Sequence, residues 1–412
     1  MDPALVHRLS SGEGWGLLQS LPPYDEGLAL TLNQRLRSDG FDADLVAAAL
    51  TQSRLRARAR HKFGDVAGRM LFTADGLEQA TRAELSERHA TRFARAGVRR
   101  VWDLGCGIGA DAMALSGSGL DVTAVDADPV AVQVARVNLR PWPRAEVTLG
   151  RVEQVELPAR GTATHHGAWL DPARRLPGTR DVVGRAVRLF RLDQLSPSWQ
   201  VVLDVADRLP AVGAKLAPAF PHARVPAGVE AQWVSFGGEV LECVLWWGDL
   251  VSSPGRSALV HTGAGWATVT GPAARPPTLS GTDDVGPWLY EPDKAVLQAG
   301  LVGVLTQAVD GAELDSGVGY VTASQQQDLT WARRFQVLQV LPLSTKALRV
   351  WARGLAVGSL TIKKRGVSID PDRLRRDLRL RGDQEATVVL TRVAGRPVAL
   401  HVAQSPQPLP NG

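Results

Sequence analysis

The stretch that most limits the fold runs from Val98 to Gly150. VRRVWDLG is a short apolar segment, GADAMALSGSG a short helix, and DVTAVDAD a β-rich segment. DPVAVQVARVNLR is a second helix, with Asp128 as its cap and Pro129 in its first turn, and AEVTLG is a third strand. Strands alternating with helices at this spacing require right-handed crossovers and a parallel sheet. Open sheets of this kind bind ligands at the carboxyl ends of their strands. AWLD at 168–171 reads as a fourth strand and WQVVLDVAD at 199–207 as a fifth.

Around this core the chain divides into regions. Residues 1–80 form a helical region, in which DADLVAAALTQSRLRARARHKFG is rich in Ala, Leu and Arg, lacks Pro, and has Gly64 just past its end. Residues 81–270 are the sheet domain, and AQWVSFGGEVLECVLWWGDLV within it reads as a hairpin or a sharply bent strand. From Gly271 the composition turns rich in Pro, Gly and Ser, so 271–330 reads as a connecting segment. A small α/β domain closes the chain over 331–403. There KALRVW and GSLTIKKRG read as strands, a helix starts at Asp370-Pro371, and ATVVLTRV and RPVALHVA form a hairpin turning at Ala394-Gly395.

Charge separates these regions further. Trp331 to Gly412 carries fifteen Lys and Arg against five Asp and Glu, a net +10, whereas the whole chain is +5, so residues 1–330 carry −5. Basic charge gathered in the last fifth of the chain suits a polyanion such as RNA. A solvated helix face gives the same composition, and PDRLRRDLRLRG fits it with Leu374 and Leu378 inward. Two cysteines, Cys106 and Cys243, are too few for a disulfide framework and suit a reducing compartment. No CxxC or HExxH pattern offers a metal site, and no apolar run approaches the roughly 18 residues of a membrane span. A cytoplasmic protein that contacts neither metal nor membrane is the expectation.

The loop DLGCGIGAD at 103–111 joins the first strand to the first helix, and glycines at 105, 107 and 109 let its backbone approach a ligand. Asp126 ends the second strand, where an acid accepts hydrogen bonds from ribose hydroxyls. Asp103 ends the first strand. A fixed carboxylate there repels a pyrophosphate but attracts an ammonium or a sulfonium. This charge pattern favours S-adenosylmethionine over a dinucleotide.

VWDLGCGIGADAMALSGSGLDVTAVDADP resembles the first two cofactor motifs of class I S-adenosylmethionine-dependent methyltransferases. The wider chain resembles bacterial methyltransferases with a C-terminal THUMP-like domain, through FTADGLEQAT, LDPARR and KALRVWARGLAVGSLTIKKRGVSIDPDRLRRDLRLRG. The resemblance implies a Rossmann-like seven-stranded methyltransferase sheet, an N-terminal helical region and a small C-terminal α/β domain that engages substrate. It assigns Gly105, Gly107 and Gly109 to the cofactor loop and Asp126 to the ribose, while Glu153, after the third strand, reads either as an adenine contact or as a solvated residue. FTADGLEQAT is implied to lie against the cofactor, although Gln79 and Thr81 also read as helix-terminus residues. Cys106 reads as packing between glycines, and the adjacent His165 and His166 point apart.

LDPARR places an acid and a proline at the end of the fourth strand, where amino-methylating members of the class carry Asp/Asn-Pro-Pro-aromatic. Asp171 and Pro172 match, whereas Ala173 and Arg174 do not, and the Asp-Pro pair by itself also reads as a strand terminus that merely turns. A carboxylate at that position holds the N–H of an amine while the lone pair faces the sulfonium. Arg174 can stack on a base or pair with a phosphate or a carboxylate. The expected activity is methyl transfer to a nitrogen acceptor, a base in structured RNA, with Lys363, Lys364, Arg365, Arg373, Arg375 and Arg376 on the phosphates. The alternatives are a non-catalytic cofactor-binding RNA-associated protein, and a methyltransferase acting on a protein or small molecule.

Overall fold

The computed structural model describes residues 2–174 and 192–404. It comprises two compact units, Met1–Leu216 with Leu245–Ser252, and Ala217–Val244 with Ser253–Gly412.

The first unit opens with helices Pro3–Leu9, Gly12–Ser20, Ala29–Ser38 and Ala43–Phe63. The last of these begins where the Asp42 side chain accepts from the Asp44 and Leu45 amides, and ends at Gly64 with φ +54°. Its arginines are not one patch. Arg56 is buried, and its Nε donates to the Met70 carbonyl at 2.8 Å. Gln52 clamps Phe72 with two hydrogen bonds, and Asn138 holds Leu71 in the same manner. These side-chain clamps fix the extended segment that leads into residues 73–81.

Strands β1 (Arg100–Leu104), β2 (Asp121–Asp126), β3 (Ala145–Leu149), β4 (His166–Leu170) and β5 (Ala211–Leu216) pair in parallel in the order β3-β2-β1-β4-β5. The first four are where the sequence put them. WQVVLDVAD is not the fifth: Trp199–Arg208 is a helix capped by Ser198, with Val202 and Val205 buried. Its apolar residues recur every three to four positions, which is the helical period. AVGAKL supplies the strand instead.

In the second unit β6 (Glu230–Phe236) turns through Gly237 and Gly238, both at positive φ, into β7 (Glu239–Gly248), whose last residues belong to the first unit. This is the expected hairpin. β8 (Gly255–Thr262) runs parallel to β6 and pairs antiparallel with β9 (Gly265–Thr270). Strands β8 and β9 come in addition to the seven expected.

Residues 271–330 are more than a connection. They contain β10 (Trp288–Pro292), helices Lys294–Gln298 and Val302–Val309, β11 (Gly311–Glu313) and β12 (Val321–Ala323). With β13 (Ala332–Pro342), β14 (Val357–Lys364), β15 (Gln384–Val393) and β16 (Arg396–Gln404) these form a seven-stranded sheet, ordered β11-β12-β10-β13-β16-β15-β14. Strands of three to five residues are too short to show alternation. KALRVW is also corrected, because Thr345–Gly354 is a helix with Ser344 as its cap and Leu348, Trp351 and Ala352 buried at helical spacing. The helix Pro371–Leu378, its buried Leu374 and Leu378, and the hairpin at Ala394-Gly395 match expectation.

Candidate cofactor and acceptor site

The loop after β1 holds Gly105, Gly107 and Gly109 at φ +92°, +55° and +85°, a left-handed series that only glycine adopts without strain. A Cβ on Gly105 would stand 3.2 Å from the Asp171 carbonyl oxygen, and one on Gly109 would meet Ala135 at 3.4 Å. The glycines therefore let the loop press against both the end of β4 and the helix after β2. Helix Ala110–Gly117 starts directly beyond them.

Asp126, at the end of β2, accepts from the Gly107 amide on Oδ2 and from the Asp128 amide on Oδ1, each at 2.8 Å. Those bonds fix the plane of the carboxylate, and each oxygen keeps lone-pair capacity for a further donor. Asp103 is 1% exposed, and its Oδ2 has no hydrogen-bond partner among the described residues. Burial pushes its pKa well above the ordinary range, with Asp111, Asp171 and Asp126 adding to the effect. A buried carboxyl with an unsatisfied oxygen, beside a glycine cradle, fits a cationic group of a ligand.

The end of β4 is held on three sides. The Asp171 amide faces the Leu104 carbonyl at 3.4 Å, its carbonyl lies against Gly105, and its carboxylate forms an ion pair with Lys215 from β5. Lys215 also donates to the Thr81 hydroxyl at 2.8 Å, Thr81 donates to Asp111 at 2.8 Å, and Asp111 accepts from His89 Nδ1 at 3.0 Å. Burial raises the Asp111 pKa, but the bond and charge of His89 outweigh it, leaving a value of about 2. The His89 ring in turn packs on Trp169, centroids 4.2 Å apart. Lys62 donates to the carbonyls of Leu77, Glu78 and Ala80, tying down the segment that carries Thr81. Burial and the nearby charges of Arg82 and Lys215 pull the Lys62 pKa down to about 8.

Lys215 was absent from the sequence-based candidates because its strand was misplaced. Once AVGAKL is read as β5, a lysine at its carboxyl end is a visible signal. Pro172 is buried, and the Arg174 backbone pairs with Leu195 in a two-residue strand, whereas its side chain lies outside the described residues. Glu153 occupies a 3-10 turn and forms an ion pair with Arg151 at 3.6 Å. Gln79 ends the helix Ala74–Gln79, as read, but Thr81 is a buried link of the acid–lysine network. Cys106 is buried, and burial raises its thiol pKa well above the ordinary value, in keeping with packing. His165 bonds the Gly97 carbonyl while His166 stands edge-on to Trp102, so the two do have separate surroundings.

The basic candidates of the second unit differ among themselves. Lys363 donates to Glu291 at 2.6 Å, and Arg365 shares Glu291 at 3.6 Å and lies over the Tyr320 ring. Lys364 donates to the Ile369 carbonyl and Arg375 to the Leu360 carbonyl. Arg373 and Arg376 are exposed on helix Pro371–Leu378, Arg373 with a loose contact to Asp377 at 3.9 Å.

The glycine loop and the acids at the ends of β1, β2 and β4 lie where the class I methyltransferase resemblance leads one to expect them. The chain is 32% identical over 349 residues, 82% of its length and 90% of theirs, to uncharacterised S-adenosylmethionine-dependent methyltransferases of Mycobacterium tuberculosis, strains CDC 1551 / Oshkosh and ATCC 25618 / H37Rv. It belongs to that family of S-adenosylmethionine-dependent methyltransferases. Residues 332–404 match the THUMP domain-like family, and residues 2–59 match a domain of unknown function (DUF8688). A solved structure from Porphyromonas gingivalis W83, with a proposed methyltransferase assignment, shares the fold at TM-score 0.72 and 20% identity, over 93% of this chain and all of that one. S-adenosylmethionine is the cofactor, and among the described residues no helix is long and apolar enough to cross a membrane.

Proposed function

We propose that the enzyme methylates a nitrogen acceptor, a base amine in structured RNA, with Asp171 holding the acceptor. One observation carries this reading: Asp171 is fixed by backbone contact with the glycine loop and by its ion pair with Lys215. A strand terminus that merely turns needs neither. Asp103 and Asp126 are assigned to the cationic and ribose groups of the cofactor, and the glycine loop to its close backbone approach. Glu153 is assigned to the adenine.

Bound S-adenosylmethionine supplies an electrophilic methyl group on a sulfonium. Asp171 accepts one N–H of the acceptor and aims its lone pair at that methyl. Pro172 stiffens the turn that presents the acid, and Arg174 is assigned to the base or its phosphate. Once the bound cofactor's methyl is transferred and a neutral thioether is left, Asp171 or water takes the proton that the acceptor nitrogen loses. Positioning of this kind accounts for roughly 7–11 kcal/mol of a barrier when geometry is ideal.

The RNA part is supported by the THUMP domain-like match at 332–404 and by the +10 charge from Trp331 onward. Lys363, Lys364, Arg365, Arg373, Arg375 and Arg376 are the proposed phosphate contacts, with Arg373 and Arg376 foremost because both are exposed. The test is incubation with labelled cofactor and unmodified cellular RNA, followed by nucleoside analysis. A labelled N-methyl nucleoside, lost in Asp171→Ala, is expected. Label that resists nuclease and yields to protease moves the acceptor to protein.

A further inference from the structure

The second unit contains a cleft that none of these assignments uses. It measures about 650 Å³ and lies between β13 and helix Thr345–Gly354, with Gln339, Leu341, Lys346, Val350, Trp351 and Leu355 among its walls. Val350 is 67% exposed and Leu355 44%, a degree of aliphatic exposure that a stability argument does not explain. Trp351, 7% exposed, lines the cleft with its ring edge-on to His401, centroids 4.9 Å apart. The β13–β16 ladder also breaks register between Val337 and Gln339, and the bulge precedes the strand segment that lines the cleft. Bulges of this kind are favoured next to binding sites, where they re-aim a side chain.

Charge narrows the choice of occupant. Helix Thr345–Gly354 carries Lys346, Arg349 and Arg353 and no acid. Arg349 donates to the Asp377 carbonyl and so ties this helix to Pro371–Leu378, the helix that exposes Arg373 and Arg376. Lys346, Val350 and Arg353 stand at helical spacing on one face, a cation on each side of an aliphatic patch.

We propose that this cleft takes an unpaired base of RNA. The base lies against Val350 and Leu355. Its carbonyl or ring-nitrogen acceptors meet the exposed Gln339 amide, and the flanking phosphates pair with Lys346 and Arg353. Such a ligand satisfies the exposed apolar wall and the flanking cations together. The inference rests on the RNA reading above and adds a subsite for an unpaired nucleotide, separate from the phosphate contacts already named.

The test uses the full chain and single-stranded oligonucleotides containing 4-thiouridine, cross-linked by light and mapped by peptide, with affinities measured in parallel. Cross-links are expected within residues 339–355. Val350→Glu, an exposed position that leaves the fold intact, should weaken oligonucleotide binding about tenfold, as expected for loss of one base contact. Cofactor affinity should be unchanged in that variant. Cross-links elsewhere, with Val350→Glu binding as wild type, overturn the cleft assignment and leave the RNA reading standing. A wild-type chain that binds no RNA overturns both. Self-association lost in Val350→Glu with RNA affinity intact also overturns the proposal, in favour of a second copy docking there.

Discussion

The two charged regions of this enzyme are built in opposite ways. Around the glycine loop the charges are mostly acidic, buried or half-buried, and tied to named partners: Asp126 to two amides, Asp171 to Lys215, and Asp111 to His89 and Thr81. In the C-terminal module the charges are basic, and two of them, Arg373 and Arg376, lie on an open helix face. Buried charges act over short distances in a medium that screens them little, so their positions are fixed by structure. Exposed charges are screened by salt and act as a field, so their number matters more than their placement. Single substitutions should therefore be costly in the first region and mild in the second.

The largest effect is expected at Asp126. Asp126→Ala removes a carboxylate that also orders Gly107, and S-adenosylmethionine affinity should fall about a hundredfold by calorimetry, as charged hydrogen bonds of roughly 1.5–3 kcal/mol are lost. Unchanged affinity rules out the ribose assignment. Lys215→Met comes next. It strands Asp171 without its cation, and methyl transfer should drop about ten- to a hundredfold with cofactor affinity within about threefold of wild type, given a loss of order 2 kcal/mol at a partly exposed pair. Lys215→Arg should recover part of the rate.

Asp103 gives a pH-dependent test of the buried region alone. Its folded pKa is raised, so the cost of ionising it is fully present above that pKa and absent at acid pH. Asp103→Asn should raise the melting temperature at pH 7 but not near pH 3, while weakening cofactor binding. In the wild type, a cofactor cation that ionises Asp103 should release a proton, visible as a binding enthalpy that depends on the buffer. A buffer-independent enthalpy would falsify the cation role. The smallest effect is expected at Arg376, where substitution by Ala should lower RNA affinity severalfold at most and reduce the salt slope by about 1.

Legibility in the sequence followed the same division. The first four strands, the glycine loop, Asp103, Asp126 and Asp171 lie in one contiguous βαβ pattern, in which spacing dictates placement. The fifth strand was missed because Trp199–Arg208 and Ala211–Leu216 are two apolar runs separated only by Leu209 and Pro210, and both satisfy a loose β criterion. That error hid Lys215. Thr81, read as a helix end, became part of the site only when β5 brought a lysine to it from 134 positions away. The short strands of 288–323 escaped because their pairing partners, not their own patterns, make them strands.

The sequence alone determined the first four strands, the glycine loop, the cofactor and the basic ending, because each of these depends on neighbours within about twenty residues. Only the tertiary structure decided that Asp171 is held by Lys215, that Asp103 is buried with an orphaned oxygen, and that Lys363 and Arg365 are already engaged by Glu291. Ion pairing and burial are properties of residues that meet across the fold, and no local period encodes which side chains those will be.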